Sequence, residues 1–575
     1  SGGILYLISD SIRTIIIEEN ETSDLTSAEK EGGGIYFELN STGIFDLRNN
    51  KIASSRAANG SGGFLHANID NIATLYERGN TFNGSFSAGQ FGGVSFIKSQ
   101  ENTSLSIYNN DFTGSLSAKN GGFYATDNTI QKQGAGIKIE NNRFNTSVNV
   151  IKNGGILYLN GKIDDNLFLR KNKFIISAKA ENNAGLIYIY SEGVNELFDF
   201  RENRISASGM GTKFKAGQGG FVYLDGEYTT ESISFVNDTI SDIKTLSDGG
   251  AIYINNEKIE SQLKSLKLFS NEFENIDVST GGGAAMHYDG PIIKEAQLAN
   301  NKIGNIATHK GGAISFSIDS IGIVESRQNY FENVNSEYGG GFFFSSERGG
   351  NINTLKFLND TVINSHVSGE GGFLFFDIHE VNTIAIDRLI VNGSRSDESG
   401  GVFSSRDDIV VQSFRLKSSF IENVSSASDG GAFNLTGDFD SILLEADTLA
   451  GFYSGDSFSK SNGGAFHIVI NNGNRSGSKL VVQDCYFNNN DYEEFTGGEG
   501  GAFYIENRDM IEFFNNNFDN SVSIGAGGAI RSKRNEKFVL NNCEFVWNES
   551  IGSNGGAAAL SDFGELSSVK NKINS

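Results

Sequence analysis

Proline is close to absent. Pro291 is the only one in 575 residues. Proline removes a donor from a strand ladder, so its scarcity fits a chain made mostly of paired strands. Basic charge is also scarce: 46 Lys and Arg stand against 70 Asp and Glu, giving a net charge of −24 and a pI near 4.7. A nucleic-acid binder needs a basic footprint, and none is visible; the acidic balance favours solubility and repulsion between copies. No apolar run reaches the roughly 18 residues of a membrane span. No signal peptide opens the chain, which starts on SGGILYL inside one repeat and stops on SSVKNKINS inside another. A mature chain or a fragment of something longer is expected. Hydrophobic content of 38% and aromatic content of 11% suit an extended core and exceed what a disordered chain carries.

Glycine is what the chain has in quantity, 71 residues without a collagen period. Marking the last glycine of each pair gives 19 marks from Gly3 to Gly556, about 31 residues apart on average and between 27 and 37 in every case. A period of this kind along the whole chain means a solenoid and overrides the three or four domains that length suggests. One pair is imperfect, Ala184-Gly185. A strand follows each mark, as in ILYL (156–159), FVYL (221–224) and AIYI (251–254). Side chains alternate across a strand, so the second and fourth positions after the mark point inward and the third outward. Later in each repeat an apolar strand runs into Asn and then a short apolar strand, as in LFSNEFEN (268–275) and FFNNNFDN (513–520). No helical run with a 3.6-residue period is present.

Three short strands and three turns per repeat predict an all-β fold: a single long right-handed parallel β-helix, or solenoid, of about 19 coils with about 31 residues per coil. The handedness follows the crossover rule. One domain over 1–575 is expected, as part of a longer chain or an assembly, and at about 4.8 Å per coil it makes a rod of roughly 85 to 90 Å. The Gly-Gly corner has a physical reason. Glycine takes φ > 0 without strain and leaves no side chain to strike the next coil. Asn at another corner can adopt the left-handed conformation, and stacked amides can bond along the axis. No GxxxxGK[ST] or strand–GxGxxG–helix setting makes these glycines a phosphate loop. Neither end carries a cap, and solenoids need caps, so flanking coils or other copies are expected to cover the open edges.

The pairing of GGA[ILV], as GGAI at Gly249, Gly311 and Gly527, with FxxN, at Phe420–Asn423, Phe487–Asn490 and Phe545–Asn548, resembles the chlamydial polymorphic outer membrane proteins. Similar repeats occur in large protist surface proteins. GGAF at Gly430, Gly463 and Gly500 is a close variant. The resemblance covers essentially the whole chain through short motifs. It implies a secreted β-helical passenger with adhesive roles, in that family followed by an outer-membrane barrel.

Candidate sites are few. N-x-[ST] sequons stand at Asn20, Asn40, Asn59, Asn83, Asn102, Asn145, Asn237, Asn359, Asn392, Asn423, Asn434, Asn474 and Asn548. That number is close to chance, but several fall at turns or outward positions where a glycan fits. The outward third position holds Tyr158, Tyr188, Tyr223 and Tyr253 in successive coils. This predicts an aromatic ladder, either sheet-stabilising stacking or a binding face for sugars or a partner protein. Cys485 and Cys543 fall two coils apart, with Asn515 or Asn516 at the same place between them. About 10 Å of separation is beyond disulfide reach, so two separate buried or half-buried thiols are expected.

Acids precede several Gly-Gly pairs (Asp248, Glu398, Asp429, Glu499). Without a calcium-binding nonapeptide they read as solvated surface. His66, His287, His309, His366, His379 and His467 are scattered, and no G-x-S-x-G or H-E-x-x-H occurs. No catalytic residue, cofactor or metal is therefore expected. The longer loops, 207–218 and 488–499, are the expected contact points.

The expected function is that of an extracellular or cell-surface structural repeat protein, not an enzyme. It forms a rigid rod that associates end to end into a filament, or continues into flanking coils of its own chain, and it carries N-glycans. Two alternatives belong to other classes: an adhesin passenger that binds a host receptor, glycan or cell-surface protein, and a polysaccharide-acting β-helix enzyme, which needs paired acids in a cleft.

Overall fold

The protein is described from a computed structural model that covers residues 4–130, 136–161, 166–180, 185–207, 214–256, 262–346, 349–454, 461–470, 477–489, 498–551 and 553–574. It is all-β, a right-handed parallel solenoid of about 17 turns at about 30 residues per turn, close to the coil number expected. The chain divides into two compact units, Ser1–Lys294 and Glu295–Ser575, and the same coil recurs in each.

In the first unit, strand Ile35–Arg48 lies parallel to Leu5–Glu18 on one side and to Leu65–Arg78 on the other. These long strands join the first two strands expected of each repeat. In other coils the two stay separate, as Ile252–Asn255 and Gln262–Phe269. The third strand of the coil stacks in a second sheet: Lys51–Ala57 pairs with Glu21–Ala28 and Thr81–Ala88. In-register stacking brings like residues together inside. In the second unit Phe433, Phe466 and Phe503 form a column with ring centroids 4.8 and 4.9 Å apart. Phe487, Phe518 and Phe545 form another at 5.0 and 4.9 Å.

The two properties expected of the corner glycines belong to different members of the pair. Gly62 has φ +68°, while a Cβ on Gly63 would lie 1.9 Å from the Gly93 carbonyl oxygen. The first glycine thus supplies the left-handed turn and the second the close approach. At residues 281–284 the marks are displaced by one: Gly283 makes the turn, with φ +68°, and Ala284 takes the second place.

The Asn corner divides in the same way. The residue with positive φ comes first and is chemically varied: Asn49, Asn109, Lys171 and Glu202 all have φ between 54° and 56°. The next residue points inward and forms the ladder. The backbone and side-chain N–H groups of Asn50 both donate to Asn80 Oδ1 at 3.0 Å, and its Nδ2 also donates back to Ile17 O at 2.9 Å. Asn80, Asn110, Asn142, Asn172 and Asn203 repeat the arrangement, rung to rung. In the second unit the ladder runs from Asn301 to Asn329 to Asp360, and later rungs are Ser419, Asp447, Cys485, Asn516, Cys543 and Asn571.

Two rungs are acids with one buried oxygen unpaired, Oδ2 of Asp238 and of Asp360. That atom replaces the amide nitrogen by which an Asn rung donates to a carbonyl. Burial pushes both carboxyls from 3.8 to about 7, because a proton restores the missing donor. Between those values the folded chain holds a proton that the unfolded chain has released. Stability is therefore full at acid pH and falls as the pH rises through the window. Asp238→Asn or Asp360→Asn is expected to raise unfolding stability at pH 8 by about 2–4 kcal/mol and to leave it nearly unchanged at pH 4; denaturant titration at both pH values checks this.

Candidate functional site

The third position after each Gly-Gly forms a row along the first sheet. Tyr158, Tyr188, Tyr223 and Tyr253 do form a ladder of contacting rings, at successive centroid separations of 5.3, 5.4 and 4.8 Å, with Tyr158 stacked on Tyr188, Tyr223 edge-on to Tyr188 and Tyr253 tilted against Tyr223, and His287 continues the row at 5.3 Å. The row does not lie open to solvent as expected. Tyr188, Tyr223 and Tyr253 are buried, and Tyr188 donates a hydrogen bond to Asp225 at 2.7 Å. Segments before Gly-Gly fold over the row. Phe91 stacks on Phe96 and packs at a tilt against Tyr158, and Glu31 pairs with His66 at 2.6 Å. Three histidines that look scattered in sequence, His66, His287 and His467, share this one row and are buried there. The signal was their common offset from the glycine mark.

In the second unit the row changes character. Phe343 stacks on Phe375 at 6.0 Å, and Tyr338, from the segment before Gly339, leans against both at 6.0 and 5.2 Å. The next rung is Ser404, which pairs with Phe375. Near this step lies a cavity of about 590 Å³. The three rings form one wall. Glu370, Asp377, Glu398, Asp407 and Asp408 supply carboxyl groups, and Arg406, bonded to Asp377, supplies the one guanidinium among the described lining residues. Ser404 donates to Glu370 at 3.3 Å. Burial first, and Glu398 second, push the Glu370 carboxyl up to about 7. Sequence reading singled out Glu398 but missed the cavity, because its walls come from separate coils.

The sequons divide by exposure. Asn20, Asn40, Asn59, Asn83, Asn145, Asn237 and Asn423 are exposed or partly so; Asn359, Asn392 and Asn548 are half-buried. Asn434 is buried, with its amide donating to Ser404 and its oxygen accepting from Thr436 and contacting His467. It is corrected as a glycan site: its amide is enclosed in the folded coil. Asn474 and the side chain of Asn102 lie outside the described residues, as do residues 208–213 and 490–497 of the loops 207–218 and 488–499. The FxxN motifs are not equivalent. Ile421 aligns through Leu449, Phe487 and Phe518 with Phe545. Phe420 therefore sits one residue off, and it is exposed where Phe487 and Phe545 are buried.

Both cysteines are free and buried. They are ladder rungs, with Asn516 between them: the Cys485 N–H donates to Asn516 and the Cys543 N–H to Asn571. Burial pushes both thiols up. Among the described residues no group of three or more His, Cys, Asp or Glu is placed to hold a metal ion, and no helix is long and apolar enough to cross a membrane. No protein-family model, curated protein or solved structure matches the chain.

The thiolate is the reactive form, so neither Cys485 nor Cys543 is expected to react with an aromatic disulfide reagent at pH 7.5, while both react once the chain is unfolded in guanidinium. Fast labelling of the native protein contradicts their placement as rungs.

Proposed function

We propose that the protein is a non-enzymatic structural repeat protein of an extracellular or cell surface. Its β-solenoid is a stiff scaffold that carries N-glycans on its turns and is extended by further coils, of the same chain or of another copy. The observation that carries this reading is the axial ladder. Backbone and side-chain hydrogen bonds link coil to coil through buried rungs such as Asn80, Asn110 and Asn142, which resists bending and spends the coil interior on rigidity.

One further feature supports it. Accessible sequons are spread along the first unit from Asn20 to Asn237. The adhesin alternative, which the chlamydial resemblance also favours, gains from the ring-walled acidic cavity around Tyr338, a recess suited to a ligand.

Electron microscopy and glycopeptide mapping of native material test the reading. Long fibres, with glycans on some of Asn40, Asn59, Asn83, Asn145, Asn237 and Asn423 and none on Asn434, are expected. Short separate particles overturn end-to-end extension, and a chain without any glycan counts against the glycoprotein part.

A further inference from the structure

The cavity in the second unit brings rings and acids together. In the tyrosine stretch of the row a ring is covered by the next ring, as Tyr223 is by Tyr253 at 4.8 Å, and where the row steps from Phe96 to Ala125 the ring is covered by Phe91. At Phe375, itself buried, the row steps to Ser404, and a cavity of about 590 Å³ lies beside the Tyr338, Phe343 and Phe375 rings. That volume suits a group of several heavy atoms, and the wall it meets is the half-buried pair Tyr338 and Phe343 together with Phe375.

Among the described residues acids outnumber bases around this wall. Asp377, Glu398, Asp407 and Asp408 stand beside Glu370, whose carboxyl burial pushes up to about 7, and the Arg406 guanidinium is already bonded to Asp377. An anion is disfavoured here. A bare divalent metal ion is disfavoured too, since among the described residues no three of these groups converge to hold one. A neutral sugar would use the rings and leave the charge unanswered. A cation with an apolar, weakly hydrated surface satisfies both, because ring faces attract cations and carboxylates pair with them at short range.

We propose that this cavity binds an organic cation, an ammonium or guanidinium group seated against the Tyr338 and Phe375 rings and facing Glu398 and Asp408. Such a group is carried either by a basic side chain of a partner protein or by a free amine. The assignment goes beyond the scaffold reading and is independent of whether the coils extend, so failure of one leaves the other standing.

The test uses the full chain and four probes: Nα-acetyl-arginine amide, Nα-acetyl-lysine amide, tetramethylammonium, and the neutral isostere Nα-acetyl-citrulline amide. Saturation-transfer NMR and calorimetric titration report binding. The cations are expected to bind at least about tenfold more tightly than the citrulline probe and to weaken as salt is raised. Glu398 and Asp408 are exposed, so E398Q/D408N is expected to fold as the parent does. It should lose about tenfold in cation affinity, and Tyr338→Ala should lose a comparable factor. An arginine-containing peptide that binds far better than the single amino-acid amide identifies a protein partner as the source; equal binding identifies a free cation. The proposal is overturned if citrulline binds as well as arginine, if none of the cations binds, or if folded E398Q/D408N binds them with parental affinity.

Discussion

A buried amide that must bond in both directions along an axis is the constraint around which each coil is arranged. Asn110 shows it fully: its oxygen accepts from Asn80, while its nitrogens donate to Asn142 and to Glu77 O in the preceding coil. An amide carries both a donor and an acceptor in one planar group, so an identical residue can repeat without limit. The inward turn is possible because the residue before it takes φ > 0, as Asn109 does at 55°. The Gly-Gly corner then closes the coil so tightly that a Cβ on Gly93 would lie 2.2 Å from the Gly122 carbonyl oxygen. Leaving a buried backbone N–H unbonded costs about 1–3 kcal/mol, and that cost holds the coils in register.

Departures from the amide show the same constraint from the other side. Aspartate keeps the acceptor and loses the donor, so it holds a proton. Serine at 419 still accepts from Leu389 and donates its own N–H to Asp447. Cysteine offers only a weak acceptor, and Asn516 Nδ2 meets Cys543 Sγ at 3.9 Å. The second unit, where these departures concentrate, is also where the outer row alternates rings with small and polar residues, as Phe375 with Ser404 and then Asn434, and where the acidic cavity lies.

The solenoid was legible because its period is enforced by contacts that repeat: glycine pairs recur, and apolar residues alternate on strands that stack in register. The two-coil separation of Cys485 and Cys543 was legible for the same reason. What could not be read was the division of labour between adjacent residues. Asn49 and Asn50 look alike in sequence, yet one makes the turn and the other the ladder. Phe420 and Phe545 both begin FxxN, yet only Phe545 points into the core. The burial of Tyr188, Tyr223 and Tyr253 depends on covering segments that differ from coil to coil, and alternation alone says only that these rings leave the inner face. The cavity depends on Tyr338, Glu370 and Arg406, which belong to separate coils and share no motif.

Hydrogen exchange resolved to single amides measures the central claim most directly. The backbone N–H groups of Asn80, Asn110, Asn142 and Asn172, bonded to side-chain oxygens of the next rung, are expected among the slowest to exchange. Asn110→Ala is expected to release protection at Asn80, whose acceptor it removes, as well as in its own coil. Exchange at these rungs as fast as in the unfolded chain, or an Asn110→Ala variant in which Asn80 keeps its protection, contradicts the account.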